Sequence, residues 1–411
     1  MTYGNAEFVP VILGTNINTY NMARSLHEAF GVRTIALGRA ALRETASSSI
    51  VDVRADARLG DPEVVVATLL ELASELRADG RKLLLLPNIE FYANVVLDHR
   101  EVLEVHYVVP LVRKELADRL MHKARFAELC AELGITHPRT EIVPPGPVAE
   151  DLGDDLPFPF PVIVKPANTD IYPRLRFPGK QKVYLVADAA GLRDVVRRMV
   201  DGGYDDDIVV QEYLAGDESV MQVVNTYSDR HGRMRFSSLG QIVLGEPDPG
   251  LVGNYNAIVT THDDEVTAMV RTLLDSVGYT GPANLDIMID ARTGARTILE
   301  VNLRQGAASF YTMAAGGNLT RCYVDDLVRG VDLPDVVTRD ERLWLNVPYL
   351  VALRYAPRSL RPLLRAARRH GVTHTLRYRA DRSPRRLLEL ARIDLRRTLD
   401  FVRHGRERLN R

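Results

Sequence analysis

Two strand-like runs flank a turn in LDIMIDARTGARTILEVNLRQG, and three oxygen-bearing side chains stand among their apolar residues. If the two runs form a hairpin around a short turn, Asp286 lies opposite Glu300 to Asn302, and Glu300 and Asn302 share a face. An unpaired buried carboxylate costs several kcal/mol, so we expect a cation here. Carboxylate and amide oxygens suit Mg²⁺, which takes its other ligands from water and substrate phosphates. A solvated cross-strand polar pair is the alternative.

Lysines precede this hairpin in positions that could direct positive charge into a cleft. Lys165 ends the strand FPVIVKPA, Lys123 lies on the helix that opens LMHKARFAELCAELGITHP, and the polar loop NTDIYPRLRFPGKQK carries Lys180 and Lys182. A single Lys is ordinarily a solvated surface charge, but this group is typical of an electrostatic clamp on a polyphosphate. Which of the two loop lysines contacts the phosphates stays open.

The segment IVVQEYLAGDES runs from a strand directly into a Gly-containing turn. Exposed backbone groups in such a turn could bind the edge of a purine, and Glu218 could accept from ribose hydroxyls. The nucleotide contacts predicted from this segment are Gln211, Glu212, Tyr213, Leu214 and Glu218. Junctions between a strand and a turn are common, so this segment indicates a nucleotide site only in combination with the lysines and the hairpin.

The elements that must position these groups follow from hydrophobic periodicity. VPVILG, an amphipathic helix and RTIALG open a βαβ unit, which predicts a parallel, doubly wound layer. The later segments alternate less regularly and indicate two α+β lobes. We predict an N-terminal domain over 1–115, a first lobe over 116–205, a second lobe over 206–335 and an Arg-rich helical extension over 336–411.

In chain order, Lys123, VIVKPA, QEYLAGDE, LDIMID and LEVNLRQGAASF form a series that resembles the ATP-grasp superfamily of carboxylate-amine ligases over about residues 10–330. VILGTNINTYNMARSLHEAFGV, FPGKQKVYLV and EVNLRQGAASFYTMAAGGNL are most similar to the bacterial D-aspartate ligases of cell-wall synthesis. The resemblance implies a mixed α/β and α+β chain with the ATP-grasp fold. An N-terminal Rossmann-like pre-ATP-grasp domain would precede two α+β lobes that clasp ATP.

The resemblance also implies a reaction. ATP would phosphorylate a carboxylate, perhaps that of D-aspartate, and an amine of a peptide or cell-wall precursor would attack the acyl phosphate, releasing ADP and phosphate. Lys123 and Lys165 would hold ATP, two Mg²⁺ ions would bind Asp286, Glu300 and Asn302, and Lys165 and Arg304 would act in catalysis. A ligase that makes dipeptides or other small metabolites, and a non-catalytic nucleotide-binding regulator, are the alternatives.

Two departures from related D-alanine ligases stand out. Those enzymes place an Arg two residues before the first metal-binding Asp, whereas this chain has Asn284, so Arg304 becomes the expected cation for the tetrahedral intermediate. The phosphate loop is also longer and more basic than a compact Gly/Ser lid. The substrate contacts expected from their positions in loops are Asn16, Asn18, Asn254, Tyr255 and Ser309. The polar turn GTNINTYN could equally be ordinary helix capping.

The charge is distributed unevenly along the chain. From Arg354 to the end there are 18 Arg, no Lys and five acids, a net charge of +13 against −14 for the rest. The tail shows helical spacing of apolar residues with Arg between them. It could pack on its own acidic body, contact an anionic membrane or, less favoured, bind nucleic acid. No secretory leader or membrane span is evident, so we expect a cytoplasmic protein, peripheral at the inner membrane surface if the tail binds lipid, with a homodimer as the default assembly.

Overall fold

A computed structural model describes residues 3–5, 7–76, 80–167, 172, 175–248 and 253–405. The strands in this part of the chain are β1 Phe8–Leu13, β2 Thr34–Gly38, β3 Val51–Ala55, β4 Lys82–Pro87, β5 Tyr107–Val108, β6 Thr140–Val143, β7 Val162–Pro166, β8 Tyr184–Val186, β9 Ile208–Glu212, β10 Met221–Ser228, β11 Met234–Gly245, β12 Tyr255–Thr261, β13 Gly281–Ile289, β14 Arg296–Asn302, β15 Val336–Val337, β16 Leu343–Leu345 and β17 Val372–His374.

The α-helices in the same residues are α1 Ile17–Phe30, α2 Arg43–Ala46, α3 Pro62–Leu76, α4 Glu90–Asp98, α5 Arg100–Glu104, α6 Lys114–Met121, α7 Lys123–Glu132, α8 Ala189–Asp201, α9 Asp264–Ser276, α10 Tyr311–Ala314, α11 Leu319–Tyr323, α12 Tyr349–Tyr355, α13 Arg361–Arg368 and α14 Pro384–His404. Single-turn 3₁₀ helices include Ala57–Gly60, Glu218–Val220 and Arg358–Leu360, and a π-helical turn spans Val324–Val328.

The N-terminal domain is a parallel sheet in the order β3-β2-β1-β4-β5, as the opening βαβ pattern predicts. Its central strand FVPVIL is buried along its whole length because helices cover both faces. Asn16 caps α1, since its side chain accepts from the backbone N–H groups of Asn18 and Thr19. The end of β1 therefore leads straight into a capped helix.

A four-stranded sheet in the order β6-β9-β7-β8 forms the first lobe. The sheet includes β9, which follows residue 205, the C-terminal bound predicted for this lobe. Helix α8 covers one face of the sheet with Leu192, Val195, Val196 and Met199. In β7, Lys165 pairs in register with Val209 of β9, which fixes the direction of its side chain.

The second lobe is built on the large sheet β14-β13-β10-β11-β12-β16-β17, with β15 beside β11. The predicted hairpin is confirmed: β13 and β14 are antiparallel, with Asp286 opposite Glu300. Asn302 lies opposite Asn284, and the register shifts directly after Asp286. Such a bulge bends the strand locally and re-aims the side chains beside it.

The C-terminal extension packs on the body of the protein and is not purely helical. Strands β16 and β17 extend the large sheet, and α12 to α14 pack behind it. Phe401 of α14 is buried against Tyr355 of α12. Among the residues that the structure describes, no helix is long and apolar enough to cross a membrane.

Candidate active site

A cavity of about 1140 Å³ opens between the two lobes and the N-terminal domain, and most of the predicted site residues line it. This volume is slightly larger than that of ordinary small-molecule pockets, roughly 300–1,000 Å³. The predicted residues on its wall are Lys123, Lys165, Lys182, Gln211, Glu212, Tyr213, Leu214, Glu218, Asn254, Tyr255, Asp286, Glu300, Asn302 and Arg304. Tertiary folding therefore brings together groups from three parts of the chain.

The facing carboxylates of the hairpin form the acidic side of the cavity. Asp286 is 8% exposed and accepts a hydrogen bond from the Tyr255 hydroxyl at 2.9 Å. Burial, and then the charge of Glu300, raise the pKa of Asp286 above its ordinary value. Burial opposes ionisation of Glu300 as well, but the cations of Lys123, Lys165 and Lys182 outweigh it and hold its pKa low. The raised pKa favours a proton on Asp286 beside the ionised Glu300, and a bound divalent cation would displace that proton and neutralise both carboxylates.

These groups fit a Mg²⁺ site. Asp286, Glu300 and Asn302 offer two carboxylates and an amide from one hairpin, and the mutual repulsion of the carboxylates would be relieved by a divalent ion. In the described residues, no group of three or more His, Cys, Asp or Glu side chains could hold a metal by itself. Mg²⁺ in proteins usually binds one or two carboxylates together with waters and phosphate oxygens, and this hairpin offers two carboxylates.

The basic side of the cavity faces these carboxylates. Lys123, the first residue of α7, lies 3.9 Å from Glu300 Oε2. Lys165 donates to Gln211 Oε1 at 2.8 Å. Burial, together with the positive charges of Lys123 and Lys182, lowers the pKa of Lys165 to about 8. An anionic phosphate placed between these lysines would offset their repulsion.

Sequence reasoning missed two residues that hold Gln211. Thr140 Oγ1 accepts from Gln211 Nε2 at 2.9 Å, and His137 Nε2 lies 3.4 Å from the same nitrogen. The opposite ring nitrogen of His137 lies 2.8 Å from the Ile298 carbonyl. The only usable signal was the polar pattern of THPRT between a helix and a strand, which alone suggests a loop.

The segment predicted to contact the nucleotide lies on the cavity wall, and one of its backbone donors already has a partner within the protein. The Glu212 N–H donates to the Arg139 carbonyl at 2.8 Å, so that donor does not face a purine. The Glu212 side chain pairs with Arg139 at 3.0 Å, and this ion pair lowers the pKa of Glu212. Tyr213 and Leu214 continue along the cavity from the end of β9.

The two loop lysines lie in different places. Lys182 lines the cavity, whereas Lys180 donates to the Leu175 carbonyl at 2.8 Å, and its ammonium lies 5.0 Å from the Tyr172 ring centre. This arrangement favours Lys182 for phosphate contact. Residues 168–171, 173 and 174 of the predicted phosphate loop lie outside the described residues.

Arg304 follows the hairpin and lines the same cavity. Burial lowers its pKa, while the carboxylates of Glu90, Glu300 and Asp286 favour its charged form. Its Nη1 donates to the Gln305 carbonyl at 3.3 Å. Glu90, the first residue of α4, also lines the cavity, so the N-terminal domain contributes to the wall near Arg304.

The structure divides the five expected substrate contacts. Asn254 and Tyr255 line the cavity, while Asn16, Asn18 and Ser309 do not form part of its wall. Asn16 Oδ1 accepts from Asn88 Nδ2 at 2.8 Å in addition to capping α1. Asn18 and Ser309 are buried in a polar network between α1 and the segment after the hairpin.

The chain is similar in sequence to a protein of known activity. The chain is 33% identical over 397 residues to a D-aspartate ligase from Enterococcus faecium (strain Aus0004), and the match covers 93% of each protein. The chain belongs to the D-aspartate ligase family. As a member of this family it is an ATP-grasp, ADP-forming carboxylate-amine ligase. No family model matches it.

Solved structures share the ATP-grasp fold with this D-aspartate ligase family member. N5-carboxyaminoimidazole ribonucleotide synthetase, solved with ADP, aligns with a TM-score of 0.61 at 12% identity and covers 98% of this chain and 100% of its own. An L-amino acid ligase from Bacillus licheniformis aligns with a TM-score of 0.56 at 15% identity, covering 80% and 75%. Biotin carboxylase from Campylobacter jejuni aligns with a TM-score of 0.59 at 12% identity, covering 79% and 72%.

Proposed function

We propose that this ligase activates the carboxylate of D-aspartate with ATP and joins it to an amine of a peptide or cell-wall precursor. The observation that carries the proposal is that one cavity is lined by Asp286, Glu300, Lys123, Lys165 and Arg304, with the Lys123 ammonium 3.9 Å from Glu300. The D-aspartate ligase relative supports the choice of acid.

The reaction has two steps. A carboxylate oxygen of the amino acid attacks the γ-phosphorus of ATP, and the bond to ADP breaks. The amine nitrogen then attacks the acyl carbon, loses a proton, and phosphate leaves with its bonding electrons. Lys123, Lys165 and Lys182 hold the phosphates during the first step. Mg²⁺ ions at the hairpin would offset the negative charge of the approaching phosphoryl group and carboxylate.

Arg304 serves the second step. Negative charge develops on the acyl oxygen as the amine adds, and a fixed guanidinium near that oxygen stabilises the tetrahedral intermediate. Asn284 lines the same cavity but carries no charge, so it cannot replace a cation there. The lowered solvation of Arg304 strengthens its attraction for an anion in the cavity.

The test is ADP release from ATP and Mg²⁺ across a panel of D- and L-amino acids, each with and without hydroxylamine as a surrogate amine. Stimulation by D-aspartate with hydroxamate formation is expected, because an acyl phosphate reacts with hydroxylamine. Stimulation by another acid would replace D-aspartate and favour a dipeptide or small-metabolite ligase. ADP release that no acid stimulates would contradict acyl-phosphate chemistry and favour a regulatory nucleotide site.

We also propose that the C-terminal extension contacts an anionic membrane surface. Helix α14 buries Ile393 and Phe401 against the body. Its outer face exposes Leu388 (52%), Leu395 (61%), Leu399 (43%) and Val402 (49%), which recur at helical spacing. Exposed arginines flank this stripe, at positions 385, 392, 396 and 403. An apolar stripe bordered by arginines fits the boundary between acyl chains and anionic headgroups.

Sedimentation with anionic and with neutral lipid vesicles tests this contact. We expect the full-length protein to pellet with anionic vesicles at low salt and less at moderate salt, because Arg attraction is screened. Replacing Leu395 and Leu399 together by Glu should abolish pelleting, whereas the same change at exposed Val102 and Val105 of the N-terminal domain should not. Protein that stays in the supernatant with both vesicle types would overturn the proposal.

A further inference from the structure

Helix α1 touches two distant parts of the chain with two of its faces. Asn18, Asn21 and Arg24 are spaced by three residues and face the segment 305–310. Tyr20, Arg24 and His27 are spaced by four and three residues and face the C-terminal extension. Arg24 belongs to both sets, so the helix connects the extension to the segment 305–310, part of which lines the active-site cavity.

The first face holds the residues that follow Arg304. Asn18 Nδ2 donates to the Gln305 carbonyl at 3.1 Å, and Arg304 donates to the same carbonyl oxygen at 3.3 Å. Asn21 Nδ2 donates to Ser309 Oγ at 2.8 Å, and Gln305 Nε2 donates to the same hydroxyl at 2.9 Å. Asn18, Asn21, Gln305 and Ser309 are buried, so loss of one of these bonds would leave a polar group that water cannot reach.

The second face, which adjoins the first at Arg24, is held by the C-terminal extension. The Tyr20 hydroxyl donates to Asp381 at 2.8 Å, and the fully buried guanidinium of Arg386 lies 4.4 Å from the Tyr20 ring centre. Arg24 Nη1 donates to the carbonyls of His374 and Thr375 at 2.6 and 2.8 Å.

The same Arg24 guanidinium also contacts the active-site side. It lies 4.4 Å from the ring centre of Phe310, directly after Ser309. One planar group therefore spans the interval between the extension and the segment 305–310. Lys could not reproduce this arrangement, because it lacks the planar fork that binds two carbonyls while stacking on a ring.

We propose that α1 and the C-terminal extension together position Arg304 for the amide-forming reaction. Asn18 is the positioning residue closest to it, since both side chains donate to one carbonyl oxygen. The position of α1 against the segment 305–310 is maintained by Asn21 and Arg24. The contact of Tyr20 with Asp381 holds the helix from the side of the extension. The role assigned to Arg304 rests on the proposed function above.

A double-mutant cycle between Asn18→Leu and Arg304→Lys tests the coupling, with D-aspartate-dependent ADP release in the presence of hydroxylamine as the assay. Asn18→Leu removes the donor to the Gln305 carbonyl together with the bond of the same nitrogen to the Asn88 carbonyl at 2.9 Å. It should lower kcat about tenfold with little change in the KM for ATP. In the Arg304→Lys background, the same substitution should cost less than about twofold, because the group it positions has changed. Equal costs in both backgrounds would overturn the proposal.

Tyr20→Phe removes only one hydroxyl and serves if Asn18→Leu does not fold. The matched control is Tyr107→Phe, which removes a similarly buried hydroxyl that donates to the Leu69 carbonyl at 2.7 Å in the same domain. Tyr20→Phe should lower kcat about threefold and show the same dependence on Arg304, whereas the control should match the wild type in kcat.

Hydrogen exchange gives a readout that needs no substrate. Asn18→Leu or Tyr20→Phe should speed amide exchange in the segment 303–311, and Tyr107→Phe should not. If the wild-type protein releases no ADP in response to any acid, the proposed function is contradicted. The exchange result would still decide whether α1 holds the segment. Unchanged exchange in both variants would contradict the positioning role.

Discussion

Lys165 Nζ donates to Oε1 of Gln211 at 2.8 Å, and the orientation of that amide is set from its other side. Gln211 Nε2 donates to Thr140 Oγ1 and points toward His137 Nε2. Burial lowers the pKa of His137 to about 4, so its ring is neutral and can accept on Nε2 while Nδ1–H donates to a carbonyl. Lys165, which we propose as a phosphate ligand, is therefore held through Gln211 by Thr140 and His137.

Removing the Thr140 hydroxyl should weaken ATP binding without disturbing the fold. In Thr140→Val the Gln211 amide loses its acceptor and can rotate, so we expect the KM for ATP to rise about fivefold to tenfold, the effect of about one hydrogen bond. Thr140→Ser keeps the hydroxyl and is the matched control. Steady-state kinetics with varied ATP checks this, and equal KM values in the two variants would contradict the role of Gln211.

The reactivity with ATP should fall at alkaline pH. Burial lowers the pKa of Lys165 to about 8, so in the free enzyme its ammonium is lost as the pH rises through about 8. The neutral amine attracts phosphate poorly, and kcat/KM for ATP should fall about tenfold per pH unit above this value. Lys165→Arg should show no such fall, because Arg stays protonated. A wild-type profile that is flat to pH 9.5 would contradict this assignment.

The Tyr255 hydroxyl should tune the metal site. It donates to Asp286 Oδ1 at 2.9 Å and so orients one expected Mg²⁺ ligand. In Tyr255→Phe we expect the Mg²⁺ concentration for half-maximal activity to rise about tenfold, with kcat recovered at saturating Mg²⁺. Tyr279→Phe, which removes a buried hydroxyl donating to the Pro282 carbonyl, should leave this concentration unchanged. A loss of kcat that excess Mg²⁺ cannot restore would show a different role.

Asp381 should contribute strongly to stability. It accepts from Tyr20, Ser48 and Ser49 at 2.7–2.8 Å and lies 3.5 Å from buried Arg386. We expect Asp381→Ala to lower the free energy of unfolding by about 3–5 kcal/mol, because it leaves a buried guanidinium unpaired. Urea unfolding measures this loss. Asp381→Asn, which keeps the shape and part of the hydrogen bonding, should cost less.

The same carboxylate gives the stability a defined pH dependence. Burial opposes ionisation of Asp381, but the donors from Ser49, Tyr20 and Ser48 outweigh it and lower its pKa. Its stabilisation is therefore present at neutral pH and is lost as the pH falls through the lowered folded-state pKa. Stability in Asp381→Asn should vary less with pH over the acidic range, and an unchanged acid dependence would exclude Asp381 as a contributor.

Local pattern was sufficient for the parts of the site that lie within one or two neighbouring elements. The pairing of Asp286 with Glu300 follows from the length of one hairpin. The placement of Lys165 in the cavity follows from its position near the end of one strand. Lys180 and Lys182 could not be separated in the same way, since two residues of spacing in a loop do not fix which side chain turns into the cavity.

The sequence by itself determined the βαβ opening, the two-carboxylate hairpin, the order of the lysines and the basic character of the tail, because these depend on short-range periodicity and composition. Tertiary structure alone decided that Asn18, expected at the substrate, binds the carbonyl of Gln305, 287 residues away. It likewise decided which tail residues are buried and which form an exposed stripe. Those outcomes depend on which helix faces meet, and long-range packing selects them from many arrangements with similar local preferences.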